Sequence, residues 1–276
     1  MAKFKLLIFG LSLGLVKLIG FGGKLWAQEA NEELTLLVHP TYTPDLSDAV
    51  HQPLVDYLSR STGRKIRLVT PRDFHKYWID TQAGEFYHLV LEDSHIADYR
   101  RMLGTHEPIA RGADDIRYLV LSSDPLVRQK EHLIGLRIST MSSPSLGYQM
   151  LSRWFNNPMA QPQILSNSKS LLDSVEMVFA AESDAAVVPE WLGERYPNLT
   201  PVLQSDPIPG LTLSIANDLD STLRESILEA MLALDENSQD YQVLNELNVR
   251  HFVAAKASDY EGLSELLSSL YSTRTL

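Results

Sequence analysis

The sequence predicts an α/β fold, and three observations carry that prediction. From Leu34 onward short apolar runs alternate with helical stretches, the pattern of a layered fold with mainly parallel strands. Roughly 250 residues follow an apolar N-terminal segment, enough for two lobes with a core each or for one large domain. Near the middle of the chain, a strand runs through hydroxyl residues directly into a helix, a geometry that builds a ligand pocket.

Each element follows from its residues. Leu34 to Val38 reads as the first strand. Asp45 to Arg60 reads as a helix, because Val50, Leu54, Tyr57 and Leu58 recur at helical spacing and Thr62-Gly63 ends it. Ile66 to Thr70 is the second strand, Arg72 to Ala83 a helix and His88 to Leu91 the third strand. A helix over Ser94 to Leu103 precedes strands near Pro108 to Arg111 and over Ile116 to Ser122. Then comes the pocket segment: strand Leu136 to Thr140, turn Met141 to Ser143, and a helix with Pro144 in its first turn, where no amide hydrogen is lost. Ser143 would cap it. The free amides of such a helix start hold the oxygens of a small ligand without lysine or arginine, although a serine here could equally cap a surface helix. A helix over Ser170 to Ala181, a strand Ala185 to Val188, a short helix Glu190 to Arg195 and strands Thr200 to Leu203 and Leu211 to Ile215 follow. The tail from Ser221 reads as mostly helical.

The N-terminus carries Lys3 and Lys5, an apolar run from Leu6 to Phe21, then Leu25-Trp26-Ala27 before an acidic stretch, the layout of a secretory signal peptide over residues 1–27. An uncleaved N-terminal anchor is the alternative, weakened by Lys17 inside the run. The chain has no cysteine, which excludes a lipid-anchored lipoprotein, a disulfide framework and thiolate chemistry. The expected location is therefore the periplasm of a Gram-negative bacterium. The predicted signal holds four of the 24 basic residues and no acid, so cleavage leaves 20 against 35 acidic ones and takes the formal charge from -11 to -15. Nucleic acid and anionic membranes are poor partners for such a surface.

Candidate chemistry is sparse. Glu92-Asp93-Ser94-His95 could ligate a metal, but one local cluster is better read as a cap on the following helix, so no metal and no cofactor is expected. The eight histidines form no metal-binding pattern and read as solvated or packing residues. There is no Gly-x-Ser-x-Gly elbow, so an enzyme is not expected. Arg100-Arg101 reads as a solvated helix face, and Trp78 and Trp154 as core. Tyr42, beyond the carboxyl end of the first strand, is a plausible pocket wall.

The order of these elements, with the helix ending Tyr57-Leu-Ser-Arg-Ser-Thr-Gly63, then Thr70-Pro-Arg-Asp-Phe-His-Lys-Tyr-Trp78, Gly84-Glu-Phe86, His88-Leu-Val-Leu91, Leu133-Ile-Gly135-Leu-Arg, Ser183-Asp-Ala-Ala-Val187 and Pro207-Ile-Pro-Gly210, resembles the phosphonate-binding (PhnD-like) periplasmic solute-binding proteins of ABC transporters. The resemblance implies a two-lobed type II periplasmic binding protein, each lobe a mainly parallel sheet flanked by helices. Lobe one would hold residues 34–112 and 208–276, lobe two residues 115–205, and two hinge strands would lie near Ala113 to Asp115 and Gln204 to Pro207. The lobes would close on a ligand without chemistry of their own.

The family's pocket turn, Asn-Ser-Thr-Ser-Gly, corresponds to Ser143, Pro144, Ser145, Leu146 and Gly147, so only part of its hydroxyl set is kept. Its tyrosine after the third strand becomes Glu92, a histidine falls on Asn167 or Ser168, and an acid that meets a ligand amine becomes Leu211, while a second such acid aligns with Glu190. The expected ligand-binding set is Tyr42, Glu92, Asp93, Ser94, Ser142, Ser143, Ser145, Gly147 and Glu190. The expected ligand is a phosphate- or phosphonate-type oxyanion delivered to an ABC permease by a monomeric protein. A carboxylate from Glu92 facing the ligand would repel an oxyanion, which leaves a cationic or zwitterionic solute as one alternative. A ligand-sensing partner of a membrane sensor kinase is the other.

Overall fold

The computed structural model describes residues 33–271; the signal peptide read over residues 1–27 lies outside them. In chain order the strands and helices are β1 (Leu34–Val38), α1 (Pro44–Thr62), β2 (Ile66–Val69), α2 (Phe74–Ala83), β3 (Leu89–Glu92), α3 (Ser94–Met102), β4 (His106–Gly112), β5 (Tyr118–Ser122), β6 (Arg137–Met141), α4 (Leu146–Trp154), β7 (Gln163–Ser168), α5 (Leu171–Phe179), β8 (Ala185–Pro189), α6 (Glu190–Gly193), β9 (Thr200–Gln204), β10 (Thr212–Ala216), α7 (Ser221–Ala233), α8 (Tyr241–Leu247) and β11 (Phe252–Ala254). Single-turn helical segments follow, among them Leu263–Leu267.

The strands form two sheets. One has six strands in the order β11-β4-β10-β3-β1-β2, the other five in the order β7-β6-β8-β5-β9. Both are mixed rather than mainly parallel: β1-β2, β1-β3, β6-β7 and β6-β8 run parallel, while β10 and β11 in the first sheet and β5 in the second run antiparallel to their neighbours. Strands β5 and β10 lie where the chain crosses between sheets and returns, a direction that local sequence does not encode. Edge strands β7 and β11 went unread because β7, Gln163 to Ser168, is polar and largely open to solvent, and β11 spans three residues.

Each sheet has its own core. Leu36, Val38, Leu54, Leu58, Leu89, Leu91, Leu213 and Ile215 pack β1, β3 and β10 against α1, and Ile227, Met231 and Leu244 add α7 and α8. In the second half Tyr118, Val120, Ile138, Leu146, Leu151 and Val187 form one face, and Leu119, Leu121, Val175, Val178 and Val188 the other. Continuous burial along β3, β5, β8 and β10 is what strands covered on both faces require.

Two segments link the sheets, between β4 and β5 and between β9 and β10. They pair with each other: Ile116 N–H donates to Ile208 O at 2.8 Å and Ile208 N–H to Ile116 O at 3.0 Å. Gly210 is required there, since a Cβ would stand 2.7 Å from the Asp114 carbonyl oxygen. The C-terminal segment also touches both halves. Leu267 joins the cluster of Phe74, Tyr77 and Ile96, Leu263 and Leu266 pack on the second sheet's core, and Ser264 N–H donates to the buried Asp98 at 2.8 Å.

Candidate functional site

The parallel strands β1 and β3 end side by side, His39 N–H donating to Leu91 O at 3.0 Å. Beyond those carboxyl ends, where open α/β sheets bind ligands, lies a cavity of about 100 Å³. The first half contributes His39, Thr41, Tyr42, His51 and Asp93, and the second contributes Tyr118, Leu171, Pro189 and Trp191. Leu211, the segment 247–250 and residues of the two linking segments, among them Asp114, Ile116 and Gly210, also line it. The halves touch at its edge through Leu171 N–H donating to Thr41 O at 3.2 Å.

The polar side chains deepest in this site, His39, Thr41, His51 and Asp93, are buried. Asp93 is 5% exposed, with Oδ2 at 3.5 Å from His39 Nδ1, and neither atom has a hydrogen-bond partner. Burial pushes the Asp93 carboxyl up, but the neighbouring His39, and more weakly His95, outweigh it and hold the group below its usual range. His95 meets the carbonyl of Pro144 through Nε2 at 2.9 Å. A carbonyl only accepts, so Nε2 carries the proton and Nδ1 is a bare lone pair, itself buried and unpartnered. Burial also lowers the pKa of His95, against the opposing pull of Asp93, and keeps its ring neutral. His51 donates from Nδ1 to Ser47 O at 2.7 Å, and burial pushes its pKa down to about 4. Its ring meets Tyr42 edge-on at 6.0 Å. Tyr118 has its hydroxyl pKa raised well above the usual value by burial and by the charge of Asp93.

Of the residues expected from sequence, Tyr42 and Asp93 line this cavity. Glu92 does not. It is fully buried on the other side of its strand, where Arg100 Nε stands 3.1 Å from one carboxylate oxygen and 3.2 Å from the other, and the Tyr77 hydroxyl donates to it. Arg100 is therefore a core residue, not part of a solvated face. Ser94 is buried with an unpartnered hydroxyl, and Asp93 sits at the N-cap position of α3 without making the expected capping bond.

The pocket turn also differs. The helix starts at Leu146, not Pro144, because Ser145 rather than Ser143 caps it, accepting from Tyr148 N–H at 3.4 Å and donating to Met141 O at 3.0 Å. Ser143 accepts from Gln149 Nε2 at 3.1 Å. Gly147 lies beneath Tyr118: a Cβ there would stand 3.0 Å from Thr140 Oγ1 and 3.5 Å from the Tyr118 ring. Ser142 faces a separate, open groove of about 440 Å³ with Arg72, Ser168 and Lys169. Glu190 is turned out of the cavity, accepting from Gln204 Nε2 at 3.1 Å, although its neighbours Pro189 and Trp191 line it.

Sequence reasoning missed His39, His51, Tyr118 and Trp191. The available signal was position: His39 and Trp191 each follow the carboxyl end of a strand, as Tyr42 and Asp93 do. Among the described residues, no group of three or more His, Asp or Glu side chains is placed to hold a metal ion.

The profile of a family described as the phosphonate periplasmic substrate-binding protein of ABC transporters matches residues 36–260. The chain belongs to that family. Solved structures agree in fold. PhnD1 from Prochlorococcus marinus, in complex with methylphosphonate, superposes with a TM-score of 0.73 at 16% identity, covering 86% of this chain and 98% of that one. A binding-protein component of an ABC phosphonate transporter from Pseudomonas aeruginosa gives 0.71 at 15% identity, with 89% and 88% covered. A Xanthomonas citri protein bound to ATP gives 0.67 at 15% identity, with 88% and 98% covered. At these identities the likeness is one of fold, the two-lobed type II periplasmic binding protein. No curated protein matches the sequence. Family membership makes this a periplasmic substrate-binding protein of an ABC importer.

Proposed function

We propose that this family member captures a small solute in the cavity between its two sheets and hands it to an ABC permease, as a monomer exported by a cleavable signal over residues 1–27 and without catalysis. The single observation that carries this reading is that both halves of the molecule wall one cavity at the carboxyl ends of parallel strands. The bodies that close would be residues 34–112 with 208–276, and residues 115–205, hinged where Ile116 pairs with Ile208. Contacts such as Leu171 to Thr41 then form on closure, so ligand and closure stabilise each other.

Phosphonates are the solutes named in the family's description, and methylphosphonate is held by the Prochlorococcus relative. They belong in the first panel with phosphate and amine-bearing solutes. Calorimetry on protein purified from the periplasm should find one solute at micromolar affinity. Replacing the half-buried Trp191 by alanine should weaken it at least tenfold, about 1.4 kcal/mol. Binding that ignores Trp191→Ala would remove the cavity from the reading, and the mass of the same preparation reads the cleavage site.

A further inference from the structure

Resting on that solute-capture role, we propose that the cavity seats an organic cation bearing N–H groups, an ammonium, on Asp93 between the rings of Tyr42, Tyr118 and Trp191. The side chains set the sign of the charge. Asp93 is a buried carboxylate whose Oδ2 makes no hydrogen bond, its nearest ionisable neighbour being the His39 ring at 3.5 Å, and His95, two residues on, turns its only proton to Pro144 and keeps an unpartnered acceptor at Nδ1. Ser94 adds a buried hydroxyl without a partner. Of these three residues Asp93 lines the cavity, with Ser94 and His95 behind it, and because buried polar atoms are nearly always paired, its open carboxylate oxygen calls for a donor from a solute. An ammonium brings three N–H donors and a positive charge; a phosphonate brings only acceptors and a negative one.

The walls agree with this choice. Aromatic faces attract cations, and three aromatic rings line a cavity of about 100 Å³, the scale of an alkylammonium head. The wall contains no lysine, and its arginine, Arg250, is ion-paired with Asp114, both exposed at the border. Arg195 lies outside the wall, its guanidinium 5.5 Å from the centre of the Trp191 ring. His51 is held neutral by burial and adds no positive charge at neutral pH. An anion entering here would meet Asp93, while among the lining residues His39 stands against that carboxylate and Arg195 acts on Tyr42 only from outside the wall.

The test is calorimetry on periplasmic protein against two panels: ethanolamine, putrescine, agmatine and 2-aminoethylphosphonate on one side, and phosphate, phosphite and methylphosphonate on the other. The expected result is micromolar binding of an amine and none of the pure anions. Asp93→Asn, nearly isosteric, should cost that amine about 100-fold, the size of a lost charge-assisted hydrogen bond. Trp191→Ala, away from the buried acceptors, should cost it about tenfold and covers the case in which Asp93→Asn does not fold. Binding of a pure anion alone, unchanged or tightened by Asp93→Asn, would overturn the cation assignment while leaving solute capture intact. Silence from both panels would overturn both.

Discussion

Glu92 and Arg100 show what a single misplaced charge costs in this core. Both are almost fully buried, Glu92 at 0% and Arg100 at 3% exposure, and Thr81 Oγ1 accepts a further bond from Arg100 at 2.9 Å. Such a pair adds little net stability over apolar packing, but removing one partner strands the other charge in a low-dielectric interior. Glu92→Gln should therefore cost about 3 kcal/mol, or roughly 6–12 °C in melting temperature. Scanning calorimetry reads this directly, and a shift below about 2 °C would show that water reaches Arg100. The sequence could not reveal the pair. Arg100 and Arg101 are chemically identical neighbours, and only the helix's rotation sends one inward to Glu92 and the other to Asp98 at 2.8 Å. By contrast the placement of Tyr42 and Asp93 at the cavity was legible, because both follow a strand's carboxyl end in a pattern that needs no tertiary information. Tyr118 and Trp191 were not, since an aromatic on an apolar strand or short helix looks the same whether it fills a core or walls a cavity.

At the scale of elements, the start of α4 is the point where local rules and tertiary contacts compete. Proline favours the first turn of a helix and a preceding serine favours the cap, which placed the cap at Ser143. In the fold, the carbonyl of Pro144 is taken by His95 from the other half, and the helix begins two residues later on Ser145. Ser145 is 4% exposed and both accepts and donates, so its hydroxyl is fully used. Ser145→Ala should cost about 1 kcal/mol from the lost cap, lowering the urea midpoint without changing the slope, because the surface exposed on unfolding is unchanged. No loss would mean that the helix start is held by its packing alone. Most other elements were readable to within two residues, because strands such as Leu34–Val38 and Ala185–Pro189 are continuous apolar runs between turns. What local sequence cannot carry is strand direction across a crossover, and hence the mixed sheets, or a polar edge strand such as Gln163–Ser168, whose order comes from its neighbour β6.

Across the whole molecule, buried neutral histidines make stability depend on pH. His51 and His106 are 1% and 3% exposed, and burial pushes the pKa of each from 6.5 down to about 4; His51 is also lowered by His39, and His106 by Arg100. In each case one backbone carbonyl, Ser47 O or Tyr87 O, and one acid, Asp48 or Asp218, pull the other way without offsetting burial. The folded state therefore refuses a proton that the unfolded chain accepts below pH 6.5. Their contribution is complete above that value and is lost as pH falls from 6.5 to 4, where the folded state also begins to charge. At 1.36 kcal/mol per unit, each histidine withdraws about 3 kcal/mol at pH 4, against a total stability of about 5–15 kcal/mol for a typical protein. Acidification also relieves repulsion within a chain of formal charge -11, an opposing effect spread over an exposed and salt-screened surface. The buried groups dominate, so the melting temperature should fall steadily from pH 7 to 4.5. His106→Gln, which can keep a donor to the Tyr87 carbonyl now bonded by Nε2 at 2.8 Å, should make that slope shallower even where it lowers stability at pH 7, the rest being left to His51, His95 and Asp93. A melting temperature flat to pH 5 in the unsubstituted protein would mean that both rings take up protons in place, and that the interior around them is wetter than their burial implies.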